Sequence, residues 1–244
     1  MPLQGTHLPI PVGFDWLQTA VRGFSEIMSG RVSPVRIFCI YFLTESIMAA
    51  KIKTGDKLPM FLYDTPYRAQ NRFRDLLAAQ APLVLVFMAN FGNPVTRTFA
   101  SRYAETFDKL YSGGFAMVVR SRADKLAGSL AQEALPFPLM CDADGVLYEL
   151  LDIPTRSSAW TAYSLEALQI FRQAKKQGYH TAKGKEQQMP LTLILDKNGK
   201  VLFCHYGTSM TDVPRDCEAM QNLLEELELI PDSFEKAALT AQKR

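Results

Sequence analysis

The fold is decided at residues 82–90, which read PLVLVFMAN, and at residues 91–96, which read FGNPVT. The unbroken apolar run Leu83–Met88 is too short for a helix and is typical of a strand buried on both faces in the middle of an α/β sheet. Asn93 offers a side-chain oxygen that can cap a helix, and Pro94 suits the first helical position, where an N–H has no partner. The stretch therefore predicts a central strand that leads through a turn into a helix.

A turn of this kind is where α/β domains place much of their chemistry. The N–H groups of the first helical turn and the helix dipole stabilise a negative charge such as a thiolate. This turn contains no cysteine. It therefore tells us about the fold rather than about a reaction.

The composition excludes several classes of protein. The 244 residues fit one large domain with or without an extension, and the net charge of +2 argues against nucleic-acid binding. The four cysteines (Cys39, Cys141, Cys204 and Cys217) show neither a CxxC motif nor the spacing of metal ligands. We therefore expect reduced thiols in a cytoplasmic protein, with no metal and no cofactor.

No targeting or membrane segment is expected. Residues 1–13 lack a positively charged region followed by an apolar core, which a secretory signal would require. The most apolar local run, at 37–43, is too short to span a bilayer.

The first 50 residues are predicted to form a helical extension. Apolar residues recur every three or four positions over 14–29, and a second, more apolar helix is expected up to about Ala50. Their apolar excess suggests docking on the body of the protein or on a partner, including a homo-oligomer. The main domain is then expected over 51–232, followed by a flexible tail over 233–244.

The remaining patterns predict alternating strands and helices. Besides the central strand, strands are expected at 60–63, 115–119, 136–141, 190–196 and 201–206. Helices are expected at 67–79, 122–135, 145–151, 165–176 and 211–229, and the helix after Asn93 is expected to stop at Gly113 and Gly114. Asn198-Gly199 is a strong hairpin signal. This order gives parallel strands followed by an antiparallel pair, which indicates a thioredoxin-like α/β fold, a mixed sheet with helices on both faces.

Four segments carry a resemblance to a known family. They are GDKLPMF at 55–61, PLVLVF at 82–87, LPFPLMCD at 135–142 and QQMPLTLILDKNGK at 187–200. From residue 55 to about 227 the chain resembles the AhpC/TSA peroxiredoxin-like group of thioredoxin-fold proteins. The resemblance implies an antioxidant redoxin that reduces peroxides or disulfides with thiols.

The chain departs from that family at the active site. The family's CxxC or TxxC motif would place thiols at Asn93 and Thr96, and neither residue can act as a redox nucleophile. The resemblance also implies that Pro190 is the cis-proline beside the active-site loop. The helix start is kept while its thiols are missing, as in a pseudoenzyme.

Two hypotheses about function stay open at this point. In the first, the protein is an oxidoreductase by descent whose activity has been lost or has moved to Cys141 or Cys204. In the second, it is a non-enzymatic module that holds a small ligand or a protein in a cleft between Asn93, Thr96 and Pro190.

The other candidate side chains have simpler interpretations. Cys141 and Cys204 fall at a strand end and inside a strand, where cysteine behaves as a small apolar residue. Cys217 stands between two acidic residues, which raise a thiol pKa, and we expect it to be inert. His205 should point to the face of its strand opposite to Cys204, so the two cannot converge directly.

Overall fold

The computed structural model describes residues 51–157, 162–179 and 187–227. The predicted extension 1–50 and the predicted tail 233–244 lie outside these residues. Cys39 lies outside them as well.

The strands are short apart from those of the central sheet. In chain order they are β1 Leu62–Tyr63, β2 Asn71–Arg72, β3 Leu83–Met88, β4 Gly114–Val119, β5 Leu139–Cys141, β6 Thr155–Arg156, β7 Gln187–Gln188, β8 Leu191–Leu195 and β9 Val201–Tyr206. The helices are α1 Phe73–Gln80, α2 Pro94–Glu105, α3 Ala123–Ala127, α4 Val146–Leu150, α5 Leu165–Lys176 and α6 Cys217–Glu226.

The central sheet has five strands in the order β5-β4-β3-β8-β9. Strands β3, β4 and β5 are parallel, while β8 runs antiparallel to β3 and β9 runs antiparallel to β8. The predicted central strand is confirmed, since β3 lies in the middle and all of its residues are buried. The mixed sheet with helices on both faces confirms the predicted thioredoxin-like α/β fold.

The side chains of β3 alternate between two cores, one on each face of the sheet. Val84, Val86 and Met88 pack against residues of α2, α5 and α6. Leu83, Leu85 and Phe87 pack against residues of α1 and α4. A strand with apolar residues at every position is therefore required here, because neither face meets water.

Two other predicted elements are found, α5 with the expected bounds and the β8–β9 hairpin with β8 one residue shorter at each end than predicted. Helix α5 covers Leu165–Lys176, and Ser164 caps it by accepting a hydrogen bond from the N–H of Ala167 at 3.1 Å. The β8–β9 hairpin turns at Asp196, whose carboxylate accepts hydrogen bonds from the backbone N–H groups of Asn198 and Lys200 at 2.7 and 2.8 Å.

The predicted bounds of α1 and α2 are wrong. Helix α1 begins at Phe73 rather than at 67, because Asn71–Arg72 forms a strand that pairs with β1. Helix α2 ends at Glu105 rather than at Gly113. Its end is set by Thr106, whose hydroxyl donates to the Arg102 carbonyl at 2.7 Å and accepts the Cys217 N–H at 3.1 Å.

The predicted bounds of α3 and α6 are wrong as well. Helix α3 ends at Ala127 rather than at 135, and the Ser129 hydroxyl donates to the Leu126 carbonyl just beyond it at 3.2 Å. Helix α6 begins at Cys217 rather than at 211, because Asp216 is the residue that caps it. The Asp216 carboxylate accepts a hydrogen bond from the N–H of Ala219 at 2.9 Å.

The start of β4 tolerates only glycine. A Cβ atom at Gly114 would lie 2.4 Å from the Cβ and 2.6 Å from the carbonyl oxygen of Gln80, at the end of α1. At Gly128 the nearest atom to such a Cβ would be 3.7 Å away, which is ordinary contact.

We expect Gly114→Ala to lower the free energy of unfolding by about 1–3 kcal/mol, because the methyl group forces backbone apart. The matched control Gly128→Ala should change it by less than about 1 kcal/mol. Urea unfolding followed by circular dichroism measures both. Equal stability of the two variants would show that the close approach of α1 and β4 is not rigid.

Candidate functional site

Three loops meet at one edge of the central sheet. The parallel pairing of β3 and β4 sets Met88 beside Val119, and the antiparallel pairing of β3 and β8 sets Phe87 beside Leu191. The turn after β3, the residues after β4 and the segment before β8 therefore converge. This is the edge at which open α/β sheets bind ligands.

The turn after β3 is built around the cap of α2. The side-chain oxygen of Asn93 accepts a hydrogen bond from the N–H of Val95 at 2.9 Å, and Pro94 is the first helical residue. The N–H of Phe91 donates to the Ser121 hydroxyl at 2.8 Å, which ties the turn to the end of β4. The predicted cap is confirmed, so the Asn93 side chain already has a structural task.

The cleft expected between Asn93, Thr96 and Pro190 is filled by packing. Asn93 is 8% exposed, Thr96 is 0% exposed and Pro190 is buried. The Thr96 hydroxyl has no hydrogen-bond partner among the described residues. A ligand could reach these side chains only if the turn moved.

The expected cis bond before Pro190 is not found. Among the described residues the cis peptide bond joins Ala81 to Pro82, and the Met189–Pro190 bond is trans. Hydrogen bonds on both sides hold this segment. The N–H of Met189 donates to the Pro154 carbonyl at 3.0 Å, and the Pro190 carbonyl accepts the N–H of Gly207 at 2.9 Å.

The two alternative redox thiols lie far apart. Cys141 is on β5 and Cys204 is on β9, which are the opposite edges of the five-stranded sheet. Four strand spacings separate them, or about 19 Å, whereas a disulfide needs Cα atoms about 4.4–6.8 Å apart. They also pack against the cores on opposite faces of the sheet. Cys141 and Cys204 of one molecule cannot form a disulfide with each other.

The environment of each described thiol disfavours the thiolate. Burial, helped by the charge of Asp64, raises the pKa of Cys141 to about 12. Burial also raises the pKa of Cys204 and of Cys217 to about 11. The acidic residue Asp216 adds to the shift at Cys217, but burial is the larger cause. Reactive cysteines have lowered pKa values, so these three resemble structural cysteines.

Sequence reasoning missed a polar network at the same edge. Arg120 follows β4 and donates to the side-chain oxygen of Gln188 at 3.0 Å, and its guanidinium carbon lies 5.6 Å from the centre of the Tyr148 ring. The Tyr148 hydroxyl donates to the carbonyls of Met88 at 2.5 Å and Val118 at 3.0 Å. An arginine directly after a buried strand was the one available signal, but its partners are distant in sequence.

His205 does not contact any of the three described thiols. Its Nε2 lies 3.0 Å from one carboxylate oxygen of Asp212, and the other oxygen accepts hydrogen bonds from the backbone N–H and the hydroxyl of Thr208. The Cys204 thiol is occupied with the Ile52 carbonyl at 3.1 Å. The prediction that His205 and Cys204 do not converge is therefore consistent with the contacts of both.

A groove opens beside the turn, between α2 and α5. It has a volume of about 760 Å³ and starts at Pro94. Its walls carry mostly polar and charged side chains. Arg97 and Arg102 come from α2, Gln173 comes from α5, and Tyr179 comes from the segment after α5.

Over 51–157, 162–179 and 187–227 no group of three or more His, Cys, Asp and Glu side chains could hold a metal ion. Within the same residues no helix combines the length and the apolar character needed to cross a bilayer.

The sheet order and the α2 turn define a thioredoxin-like domain without thiols at the start of α2. No protein-family model and no curated protein matches the chain. Among solved structures, the peroxidoxin BcpB from Mycobacterium tuberculosis is 18% identical with a TM-score of 0.48, covering 74% of this chain and 99% of that one. A thiol peroxidase from Chromobacterium violaceum is 13% identical with a TM-score of 0.45, and the match covers 75% of this chain and 91% of that one. A putative thiol:disulfide interchange protein DsbE from Chlorobium tepidum is 19% identical with a TM-score of 0.41, and the match covers 73% of this chain and 97% of that one.

Asn93→Ala should lower the free energy of unfolding by about 0.5–2 kcal/mol, because the N–H of Val95 loses its partner. Asn93→Ser should recover most of this loss, since serine also caps helices well. Urea unfolding measures both changes. A serine variant no more stable than the alanine variant would contradict a capping role.

The described thiols should react slowly in the folded protein. At about pH 7.5, iodoacetamide should modify Cys141, Cys204 and Cys217 roughly a hundredfold or more slowly than free cysteine, because raised pKa values leave little thiolate. The rates should rise as the pH approaches the folded pKa values. Mass spectrometry of tryptic peptides gives the rate at each site, and the same protein in concentrated urea is the control. Modification of any of the three at the rate of the unfolded chain would refute this expectation.

Proposed function

We propose that this chain is a peroxiredoxin-like protein of the thioredoxin-fold superfamily that no longer performs thiol chemistry at the α2 turn. Its descent is supported by the four sequence segments and by the thioredoxin-like sheet order. The observation that carries the proposal is the state of the turn itself. Asn93 is used as a helix cap and Thr96 is fully buried, so neither position offers a nucleophile.

The chemistry of peroxide reduction explains why these two residues decide the matter. A thiolate sulfur attacks one oxygen of the O–O bond and becomes a sulfenic acid, which a second thiol then reduces. A carboxamide has no comparable electron pair to donate. A threonine hydroxyl needs an adjacent general base, and the Thr96 hydroxyl has no hydrogen-bond partner among the described residues.

Transfer of the activity to the remaining described thiols is disfavoured for two reasons. At neutral pH a thiol with a pKa of about 11 is ionised in only about one molecule in ten thousand. Cys141 and Cys204 also stand on opposite edges of the sheet, so they cannot alternate between a dithiol and a disulfide. We therefore regard the protein as a pseudoenzyme with respect to peroxide and disulfide reduction.

The test compares peroxide consumption by the natural protein and by a variant with serine at Cys39, Cys141, Cys204 and Cys217. With dithiothreitol as reductant, we expect both proteins to consume hydrogen peroxide at the rate of buffer and dithiothreitol alone. Circular dichroism confirms that the variant is folded. A faster rate with the natural protein that disappears in the serine variant would refute the proposal.

A binding role is the second candidate, and the groove of about 760 Å³ that begins at Pro94 favours it. The groove adjoins the turn but does not require the buried side chains of Asn93 and Thr96 to become exposed. A small molecule or a segment of another protein could lie between α2 and α5. A cytoplasmic location and self-association through residues 1–50 belong to the same proposal.

A further inference from the structure

A second, smaller cavity lies at the β5 edge of the sheet. It has a volume of about 250 Å³, and none of the residues of the turn at 89–96 lines it. One wall comes from the segment 63–71, which runs from the end of β1 to the start of β2, and the other from the segment 130–139, which leads into β5. It is therefore separate from the α2 turn and from the groove beside α2.

The two walls are held together by hydrogen bonds, so the cavity exists before any ligand arrives. The N–H of Cys141 donates to the Asp64 carbonyl at 2.8 Å, next to one wall. The Tyr67 hydroxyl donates across the cavity to the Leu130 carbonyl. A preformed site loses little conformational entropy on binding.

Most of the cavity surface is apolar. Phe137 and Leu139 are 5% and 3% exposed and belong to the core, so their positions are fixed by packing. The remaining apolar surface comes from Pro66, Leu130, Ala134, Leu135 and Pro138. Such a surface favours an apolar ligand body, because burying that body removes it from water.

Most polar residues of the lining belong to the wall formed by 63–71. Tyr63 is 8% exposed and lines the cavity. Burial raises the Tyr63 pKa, while the charge of Arg68 lowers it and the charge of Asp75 raises it, each by less than burial does. Asn71 donates its side-chain N–H groups to the carbonyls of Tyr63 and Arg68, which keeps the two backbones in place.

Arg68 is available for an external anion. Within the described residues its guanidinium forms no ion pair. Glu133 is the other charged residue of the lining; it is exposed and makes no ion pair with Arg68. Arg68 and Tyr63 both line the cavity, and a guanidinium and a phenol hydroxyl are the kinds of donor that a carboxylate prefers.

We propose that this cavity binds a small carboxylic acid with an apolar body. The carboxylate accepts hydrogen bonds from Arg68 and Tyr63, and the body lies against Phe137 and the apolar residues around it. The cavity volume of about 250 Å³ is slightly below the roughly 300–1,000 Å³ that is usual for sites of drug-sized ligands. The ligand class is therefore aryl or branched aliphatic acids of about the size of phenylacetate, and not nucleotides or peptides.

Phenylacetate is the probe for the first experiment, titrated into the full chain by isothermal calorimetry. We expect saturable binding with one site per chain. Phenylacetamide lacks the charge and acetate lacks the apolar body, so each should bind at least about tenfold more weakly. No saturable binding of phenylacetate up to about 10 mM, or equal binding of phenylacetamide, would overturn the proposal.

Substitutions locate the site. Arg68→Gln should weaken phenylacetate binding about tenfold or more, and Tyr63→Phe should weaken it severalfold, because each removes a donor to the carboxylate. Arg74→Gln is the matched control, since Arg74 is exposed on neighbouring α1 and does not line the cavity. Binding that persists unchanged in Arg68→Gln, or that falls equally in Arg74→Gln, would place the ligand elsewhere.

Discussion

The burial of β3 on both faces is the constraint on which the rest of the structure depends. Its backbone groups pair with parallel β4 on one side and antiparallel β8 on the other. Its side chains alternate between two cores, and each large apolar side chain buried in them contributes about 1.5–3 kcal/mol. If the strand slipped by one residue, the side chains that now face one core would face the other. The pairing of β3 therefore fixes the position of the α2 turn.

At that turn two electrostatic effects oppose each other. The N-terminus of α2 favours negative charge by about 0.3–1 kcal/mol, while full burial shifts a pKa against the charged form by up to about 3–5 units. One unit is about 1.4 kcal/mol, so at a position as fully buried as that of Thr96, which is 0% exposed, the cost of burying a negative charge would exceed the gain from the helix N-terminus. Asn93 also occupies the N–H of Val95, so this end of the helix is used for structure.

The sequence predicted those features that depend on local pattern. The apolar run of β3, the Asn-Gly turn of the hairpin and the cap of α2 are each specified by neighbouring residues, and the structure confirms them. The C-terminal end of α2 involves a contact with a distant segment, in which the Cys217 N–H donates to the Thr106 hydroxyl. The pairing of Arg120 with Gln188 and the cavity at β5 are equally non-local, and a one-dimensional pattern does not contain them.

Polar side chains without a partner in the described part of the chain fall at the sheet edge where α2 begins. Among the described residues the Thr96 and Thr192 hydroxyls are buried and unpaired, and each such group lowers stability by about 1–3 kcal/mol. Thr192 pairs with Val86 and so shares the face of the sheet on which α2 packs, near the same edge. Two unpaired hydroxyls at the place where this fold puts its chemistry mean that packing there is not optimised for stability alone. The Tyr63 hydroxyl, by contrast, belongs to a residue that lines a cavity, where a ligand or water can pair with it without any movement of the chain.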